Sequence, residues 1–243
     1  MGMDKGILTR SLLLLGDDTM QKLASLRVII FGVGGVGSWC AESLVRSGVG
    51  HLTIVDSDRV CITNINRQAM ATTKTIGQVK VEALRQRLLD INPAADIEAV
   101  QQIFCEDTAG EFALDSYDYI VDAIDSLKDK RLLIEMACRT RAKFCSARGG
   151  ALKMDPTKVQ VAEFWKVKGC PLARALRQRF NKLKRKPARK FKCVFSEELL
   201  KNRGLDASSD NERANGSLMH ITAIFGLTIA GLILNEVYHQ EES

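Results

Sequence analysis

Phe31-Gly32-Val33-Gly34-Gly35-Val36-Gly37-Ser38-Trp39 follows the apolar run Arg27-Val28-Ile29-Ile30 and opens onto Ala41-Glu42-Ser43-Leu44-Val45. This order predicts a strand, a glycine turn and a helix, the layout that aims backbone N–H groups and a helix N-terminus at the phosphates of a nucleotide. Gly32 suits the tight turn, Gly34 a close approach of backbone to phosphate, and Gly37 the packing of helix on strand, with Gly35 and Val36 completing the cradle. A second predicted strand, His51-Leu52-Thr53-Ile54-Val55, ends in Asp56. That acid lies roughly 20 residues past the loop, where a carboxylate accepts hydrogen bonds from a ribose. A dehydrogenase would bind NAD across such a unit, so the choice of nucleotide rests on the residues beyond Asp56.

That segment is rich in fixed charge. Asp58, Asn64, Arg67 and Gln68 lie within Asp56–Gln68, and Lys80 comes after Gly77-Gln78-Val79 at a predicted helix start. The predicted strand Tyr119-Ile120-Val121-Asp122-Ala123-Ile124-Asp125-Ser126 then brings Asp125 and Ser126 to its end. Arg67 can fork two phosphate oxygens, Lys80 can act as a point charge on phosphate, and Asp125 can hold Mg²⁺. Taken singly, each also reads as a solvated loop charge. Together with the glycine loop they suit ATP with Mg²⁺ better than a dinucleotide, which would leave them unused.

From these residues the chain resembles the adenylation domain shared by ubiquitin-activating enzymes and the molybdopterin-synthase and thiamine-biosynthesis adenylyltransferases. Within that superfamily it is most similar to the tRNA threonylcarbamoyladenosine dehydratases, also described as cysteine sulfinate desulfinase-associated proteins. The supporting residues are Arg10 to Gly16, Val60-Cys61-Ile62-Thr63-Asn64, Asp155-Pro156-Thr157, Cys193-Val194-Phe195-Ser196-Glu197, and Gly216-Ser217 ahead of Thr222-Ala223. The resemblance runs from about residue 8 to about 235. It implies an ATP-dependent enzyme that adenylates the carboxylate of threonylcarbamoyladenosine next to the anticodon and promotes ring closure. It also implies a homodimer in which Arg10 reaches the triphosphate of the partner subunit. A monovalent cation and a cysteine-desulfurase or sulfur-acceptor partner come with it as open associations; DNA does not. Two rival classes remain at this point: an adenylyltransferase for the C-terminus of a ubiquitin-like sulfur carrier, and a non-enzymatic NAD-binding or regulatory module.

Composition fits one domain spanning 1–243, with a nucleotide part over about 8–165 and a basic acceptor segment with a closing helix over about 166–243. Hydrophobic residues make up 46% of the 243, enough for one α/β core. Met1-Gly2-Met3-Asp4-Lys5 has neither a basic segment followed by an apolar one nor, around Gly2, the Ser or Thr of a myristoylation motif. Seven cysteines cannot all pair and point to a reducing cytoplasm. None forms a CxxC pair and the three histidines lie far apart, so no zinc is expected, which argues against the sulfur-carrier reading. Cys193 has two readings, a buried structural thiol or an essential one beside the acceptor.

Between Arg174 and Lys192 there are ten Lys or Arg residues and no acid, within a chain of net charge +6 that would stand near −4 without them. A tract of one sign, including Arg174, Arg177, Lys184, Arg185, Lys186 and Lys190, can neutralise the phosphates of a polyanion. Its other reading is a solvated basic helix and loop, and the resemblance favours tRNA. Ile221–Leu234 is apolar over 14 residues, or 17 with Leu218 to His220, against about 20 for a membrane span. A buried core or dimer-contact helix is expected, with small residues at 223, 226, 230 and 231 allowing close approach, and peripheral membrane association as the alternative. The expected order is a short helical arm, a βαβαβ unit to about 105, strands near 118–123, 143–147 and 158–163, the basic segment and the closing helix. Alternation of this kind implies a Rossmann-like, mainly parallel sheet covered by helices on both faces.

Overall fold

Alternation within Val28-Ile29-Ile30-Phe31 divides the molecule into two layers. In the computed structural model, which describes residues 5–204 and 215–239, these residues form β1 (Arg27–Phe31), buried from Val28 onward. Successive side chains of a strand point to opposite faces. Val28 and Ile30 therefore enter one core, and Ile29 and Phe31 the other. The same division recurs in β4 (Tyr119–Asp122), where Tyr119 and Val121 face the first core and Ile120 the second. A strand covered on both faces reads as a continuous apolar run, which is why these segments carry no polar alternation.

The other strands are β2 (His51–Val55), β3 (Asp96–Val100), β5 (Lys143–Ala147), β6 (Val159–Glu163) and β7 (Lys192–Ser196). They form a seven-stranded sheet in the order β3-β2-β1-β4-β5-β7-β6, parallel throughout except for the antiparallel β6–β7 pair. On one face lie α1 (Lys5–Ser25), α2 (Gly37–Arg46), α3 (Lys80–Ile91) and α6 (Met219–His239). On the other lie α4 (Leu127–Ala137) and α5 (Pro171–Lys182). The mainly parallel α/β sheet with helices on both faces is the architecture expected, and the βαβαβ unit closes at Val100.

Four details differ from the expectations. The strand through Asp125 is shorter: β4 stops at Asp122, whose carboxylate takes the Ile124 N–H out of the ladder at 3.2 Å while also accepting from the Lys130 ammonium at 2.9 Å. β7 is not among the expected strands, since its apolar centre Cys193-Val194-Phe195 is short and comes directly after the basic tract. The N-terminal arm is a 21-residue helical segment broken at Gly16, whose φ of 77° only glycine adopts freely, and Leu8, Met20 and Leu23 bury into the first core. The closing helix is longer than its apolar run, 21 residues. It is long and apolar enough to cross a membrane by length and composition. Packing decides its place: Ile221, Phe225, Ile229, Ile233 and Val237, four residues apart, form a stripe inside the first core. Gly226 lets it cross α2, since a Cβ there would stand 2.4 Å from the Val36 carbonyl oxygen and 2.8 Å from the Cys40 nitrogen. Gly231 meets nothing within 4 Å, so of the two glycines only Gly226 requires close approach. Gly2 lies outside the described residues.

Candidate functional site

The carboxyl ends of β1, β2, β4 and β5 open into one cavity of about 980 Å³, at the edge where doubly wound sheets bind ligands. The glycine loop supplies one wall. Gly32 has φ 85°, and a Cβ on it would stand 2.7 Å from the Ala123 carbonyl oxygen, so the turn requires glycine. Gly37 is equally constrained, with a built Cβ only 1.9 Å from the Gly32 carbonyl, but it packs α2 on β1 and does not line the cavity. At Gly34 the nearest atom to a built Cβ is Gln68 Nε2 at 3.7 Å, so the backbone there is open to the cavity. No side chain caps the start of α2 at Val36, which leaves an uncapped positive helix end against the same space.

The segment after β2 is locked to this loop. Ser38, fully buried, donates to the Gly34 carbonyl at 2.7 Å and accepts from the Ala69 N–H at 3.1 Å. Trp39 Nε1 donates to the Arg67 carbonyl at 2.9 Å. Asp56 holds the turns: Oδ2 accepts from the Val33 N–H and Oδ1 from the Asp58 N–H, both at 2.9 Å. Its carboxylate thus shapes the glycine loop as well as facing the cavity. Asn64 is buried with Oδ1 accepting from the Cys61 N–H at 3.0 Å, so its carbonyl organises its own turn. Arg67 Nη1 donates to the Thr63 carbonyl at 2.8 Å and to Asn66 Oδ1 at 3.0 Å, fixing the side chain along the cavity wall. Lys80, 6% exposed, lies 2.7 Å from Asp58 Oδ2 and 4.0 Å from Asp56 Oδ1. Gln68 completes this side with a buried Oε1 that has no hydrogen-bond partner. The structure brings Gly32, Gly34, Gly35, Val36, Asp56, Asp58, Asn64, Arg67, Gln68 and Lys80 together on one cavity.

Across the cavity, Asp125 lines the wall as an exposed side chain three residues beyond β4, not at a strand end as expected. Ser126 caps α4, accepting from the Asp129 N–H at 3.4 Å and donating to Asp129 Oδ2 at 2.7 Å; its hydroxyl is engaged in the helix start. Among the described residues no three His, Cys, Asp or Glu side chains converge as a metal site. Arg10 lies exposed on α1 and does not line this cavity.

The basic tract divides into two kinds of residue. Arg174, Lys184, Arg185, Lys186 and Lys190 are exposed, while Arg177 is half-buried and donates from Nη1 to the carbonyls of Phe164 at 3.1 Å and Val167 at 2.8 Å. Arg177 is therefore a brace for the 164–167 turn and not a free surface cation. None of the six lines the cavity, but the start of α5 does, through Pro171, Leu172 and Ala175. The tract runs outward from that wall.

Sequence reasoning missed a buried cluster beneath the β4–β5 side. Asp122 accepts from Lys130 Nζ at 2.9 Å and from the Ser146 hydroxyl, and Ser146 in turn accepts from Arg148 Nη2. Lys130 also donates to the Ile124 carbonyl at 2.7 Å. Burial pulls the Lys130 ammonium below the usual lysine range, with Asp122 working against it. Cys193 beside the cluster is fully buried, and burial pushes its thiol up against the pull of Arg148 and Lys130. Burial disfavours its thiolate, which favours the structural reading. The available signal is positional: Asp122 and Arg148 both stand at the carboxyl ends of strands, and Arg148 precedes Gly149-Gly150.

A glycine cradle, an uncapped helix start and paired fixed cations on the carboxyl edge of a parallel sheet define a nucleotide-binding α/β protein of the adenylating class. The pattern of the ThiF family matches residues 8–240, and the chain belongs to that family. It is 33% identical over 231 residues to the tRNA threonylcarbamoyladenosine dehydratase of Haemophilus influenzae, covering 90% of this chain and 88% of that one. To the Bacillus subtilis protein of the same name it is 37% identical over 191 residues, 78% of this chain and 74% of that one. The solved structure of the Escherichia coli tRNA N6-threonylcarbamoyladenosine dehydratase in complex with ATP superposes with a TM-score of 0.87 at 31% identity, covering 98% of this chain and 96% of that chain.

Proposed function

We propose that the protein is an ATP-dependent tRNA threonylcarbamoyladenosine dehydratase. The observation that carries this is the convergence of the glycine loop, Arg67, Lys80 and Asp125 on one cavity, in a chain that matches dehydratases over nearly its whole length. A carboxylate is a poor electrophile because its oxygen leaves badly. Attack of that oxygen on the α-phosphorus of ATP expels pyrophosphate and forms an acyl adenylate. A nucleophile of the same modified side chain then attacks the carbonyl carbon, AMP leaves with the former carboxylate oxygen, and the ring closes. The net change in the tRNA is loss of one water.

The residues divide these tasks. The open backbone at Gly34 and the start of α2 would cradle phosphate, and Asp56 would face the ribose while it holds the loop. Arg67 and Lys80 would meet the negative charge that grows on the departing pyrophosphate, already held in place by Thr63, Asn66 and Asp58. Mg²⁺ at Asp125 would neutralise phosphate charge, consistent with a single carboxylate sharing the ion with the phosphates. The exposed cations at Arg174, Lys184, Arg185, Lys186 and Lys190 would meet the tRNA backbone. Arg10 would act in a homodimer; Leu13 and Leu14, three and four residues further along α1, are 76% and 79% exposed, an apolar face suited to a second copy. The compartment this reading requires is the cytoplasm, where tRNA resides.

The test is nucleoside mass analysis of tRNA incubated with the protein and ATP and digested under mild conditions. Threonylcarbamoyladenosine should lose one water only when protein and ATP are both present. Unchanged mass, or equal conversion with NAD in place of ATP, would reject the assignment.

A further inference from the structure

Arg148 is the largest side chain in the fully buried interior, 2% exposed, yet it lines the cavity. Its guanidinium lies over the rings of Phe164 and Phe191, 5.3 and 6.0 Å from their centroids, and Nη2 donates to Ser146. Those neighbours fix its plane. Nε and Nη1 are buried and have no hydrogen-bond partner. Unpartnered donors on a buried cation are costly, and a cation taken out of water demands a counter-charge. The cluster supplies none for it: Asp122 is the one carboxylate in the cluster, and Lys130 already pairs with it at 2.9 Å. Lys130 thus occupies the single carboxylate, and Arg148 stands next to an open cavity with no ion-pair partner in the cluster.

Topology says which ligand that guanidinium meets. The nucleotide cradle stands at the ends of β1 and β2, whereas Arg148 comes just after β5, separated from β1 by β4. Two strand spacings place it about 10 Å across the sheet from the cradle. The cavity continues there along Gly149, Gly150 and the start of α5, the wall from which the basic tract runs outward.

We propose that Arg148 is the carboxylate receptor of the acceptor site, its unpartnered Nη1–H donating to the carboxylate of the modified nucleoside before adenylation. The proposal rests on the dehydratase reading. It adds a residue that selects tRNA already carrying the carboxylate over tRNA with plain adenosine, and it makes the rings of Phe164 and Phe191 the platform that orients the guanidinium. As adenylation neutralises the carboxylate, this attraction weakens, so the interaction favours capture of substrate over retention of the cyclised product.

The experiment compares the full-length wild type with R148M, which suits the slot against the two rings, and R148K, which keeps the charge but offers one nitrogen. Measured are KM and kcat with threonylcarbamoyl-bearing tRNA, equilibrium affinity for that tRNA and for the same tRNA unmodified, and ATP affinity by calorimetry. The wild type should prefer the modified tRNA. R148M should raise KM about tenfold or more, the scale of losing a charged hydrogen bond, and bind the two tRNAs equally while ATP affinity stays within about twofold. Guanidinium ion added to R148A, which vacates the slot, should restore part of kcat/KM, a rescue that a purely structural role would not allow. Should R148M fail to fold, R148K decides by the same readouts, with an intermediate KM and a reduced preference. Retained KM and retained preference in the folded variant would overturn the proposal, and so would a loss of ATP affinity with preference intact, which would assign Arg148 to a phosphate. Failure of the dehydratase reading is separate: it shows as no conversion by the wild type.

Discussion

The two sides of the cavity are built by different means. The β1–β2 side is made from the segment Gly32 to Lys80, in which Asp56 and Arg67 are held largely by backbone N–H and carbonyl groups. The β4–β5 side is assembled from side chains bonded to one another, Asp122, Lys130, Ser146 and Arg148, and its charges are buried together. A site held by backbone can lose a side chain and keep its shape. A buried charge cluster that loses its single anion cannot.

That difference sets the largest expected effect. Asp122→Ala removes the carboxylate between Lys130 and Arg148 and leaves two buried cations together, so stability should fall by about 3–5 kcal/mol, measured by urea unfolding. Arg67→Ala, on the other side, should leave the unfolding midpoint nearly unchanged while lowering turnover by about two orders of magnitude, the scale of removing one donor at a developing charge. Equal stability losses in the two variants would erase the distinction. Near-normal AMP formation by Arg67→Ala would make that arginine a solvated loop charge.

Legibility from sequence divides along the same line. The glycine loop is readable because Gly32 answers to a positive φ and Gly37 to the close approach of the Gly32 carbonyl five residues before it. The layered sheet is readable because apolar runs such as Val28–Phe31 and Tyr119–Val121 admit burial on both faces. The Asp122 cluster is not, since nothing local tells a buried carboxylate from an exposed one. Asp125, exposed, and Asp122, buried, stand three residues apart in one apolar context. Arg177 misleads for a related reason. It sits among solvated cations in sequence, but its place on the Phe164 side of α5 turns its guanidinium onto backbone carbonyls.

The tract beyond α5 sharpens the comparison at intermediate scale. Replacing Lys184, Arg185, Lys186 and Lys190 with Gln should weaken tRNA binding and flatten its log-log salt dependence by roughly one unit for each phosphate no longer neutralised. ATP affinity should not change, because these exposed residues are outside the cavity. Arg177→Gln should do the reverse of a surface cation, lowering thermal stability by removing the brace and leaving the salt slope intact. An unchanged slope in the four-residue variant would remove this segment from the tRNA interface without touching the adenylation reading.

The smallest expected signal concerns whether the cavity is completed by a second chain. Arg10 lies on α1 and lines nothing in its own subunit's cavity, while Lys80 is held within that cavity by Asp58. If Arg10 serves the partner's site, an Arg10→Ala homodimer and a Lys80→Ala homodimer each contain no intact site. Random reassortment of an equal mixture makes about half the dimers mixed. In each of these, one site pairs a wild-type Lys80 with a wild-type Arg10 donated across the two-fold axis, so about a quarter of all sites are restored. Activity of the mixture should therefore rise from background toward about a quarter of wild type as exchange proceeds, followed by AMP release after mixing. If Arg10 instead serves its own subunit, every site in the mixed dimer lacks one residue and activity stays at background. Recovery without detectable subunit exchange would exclude the shared site, since only mixed dimers can supply it.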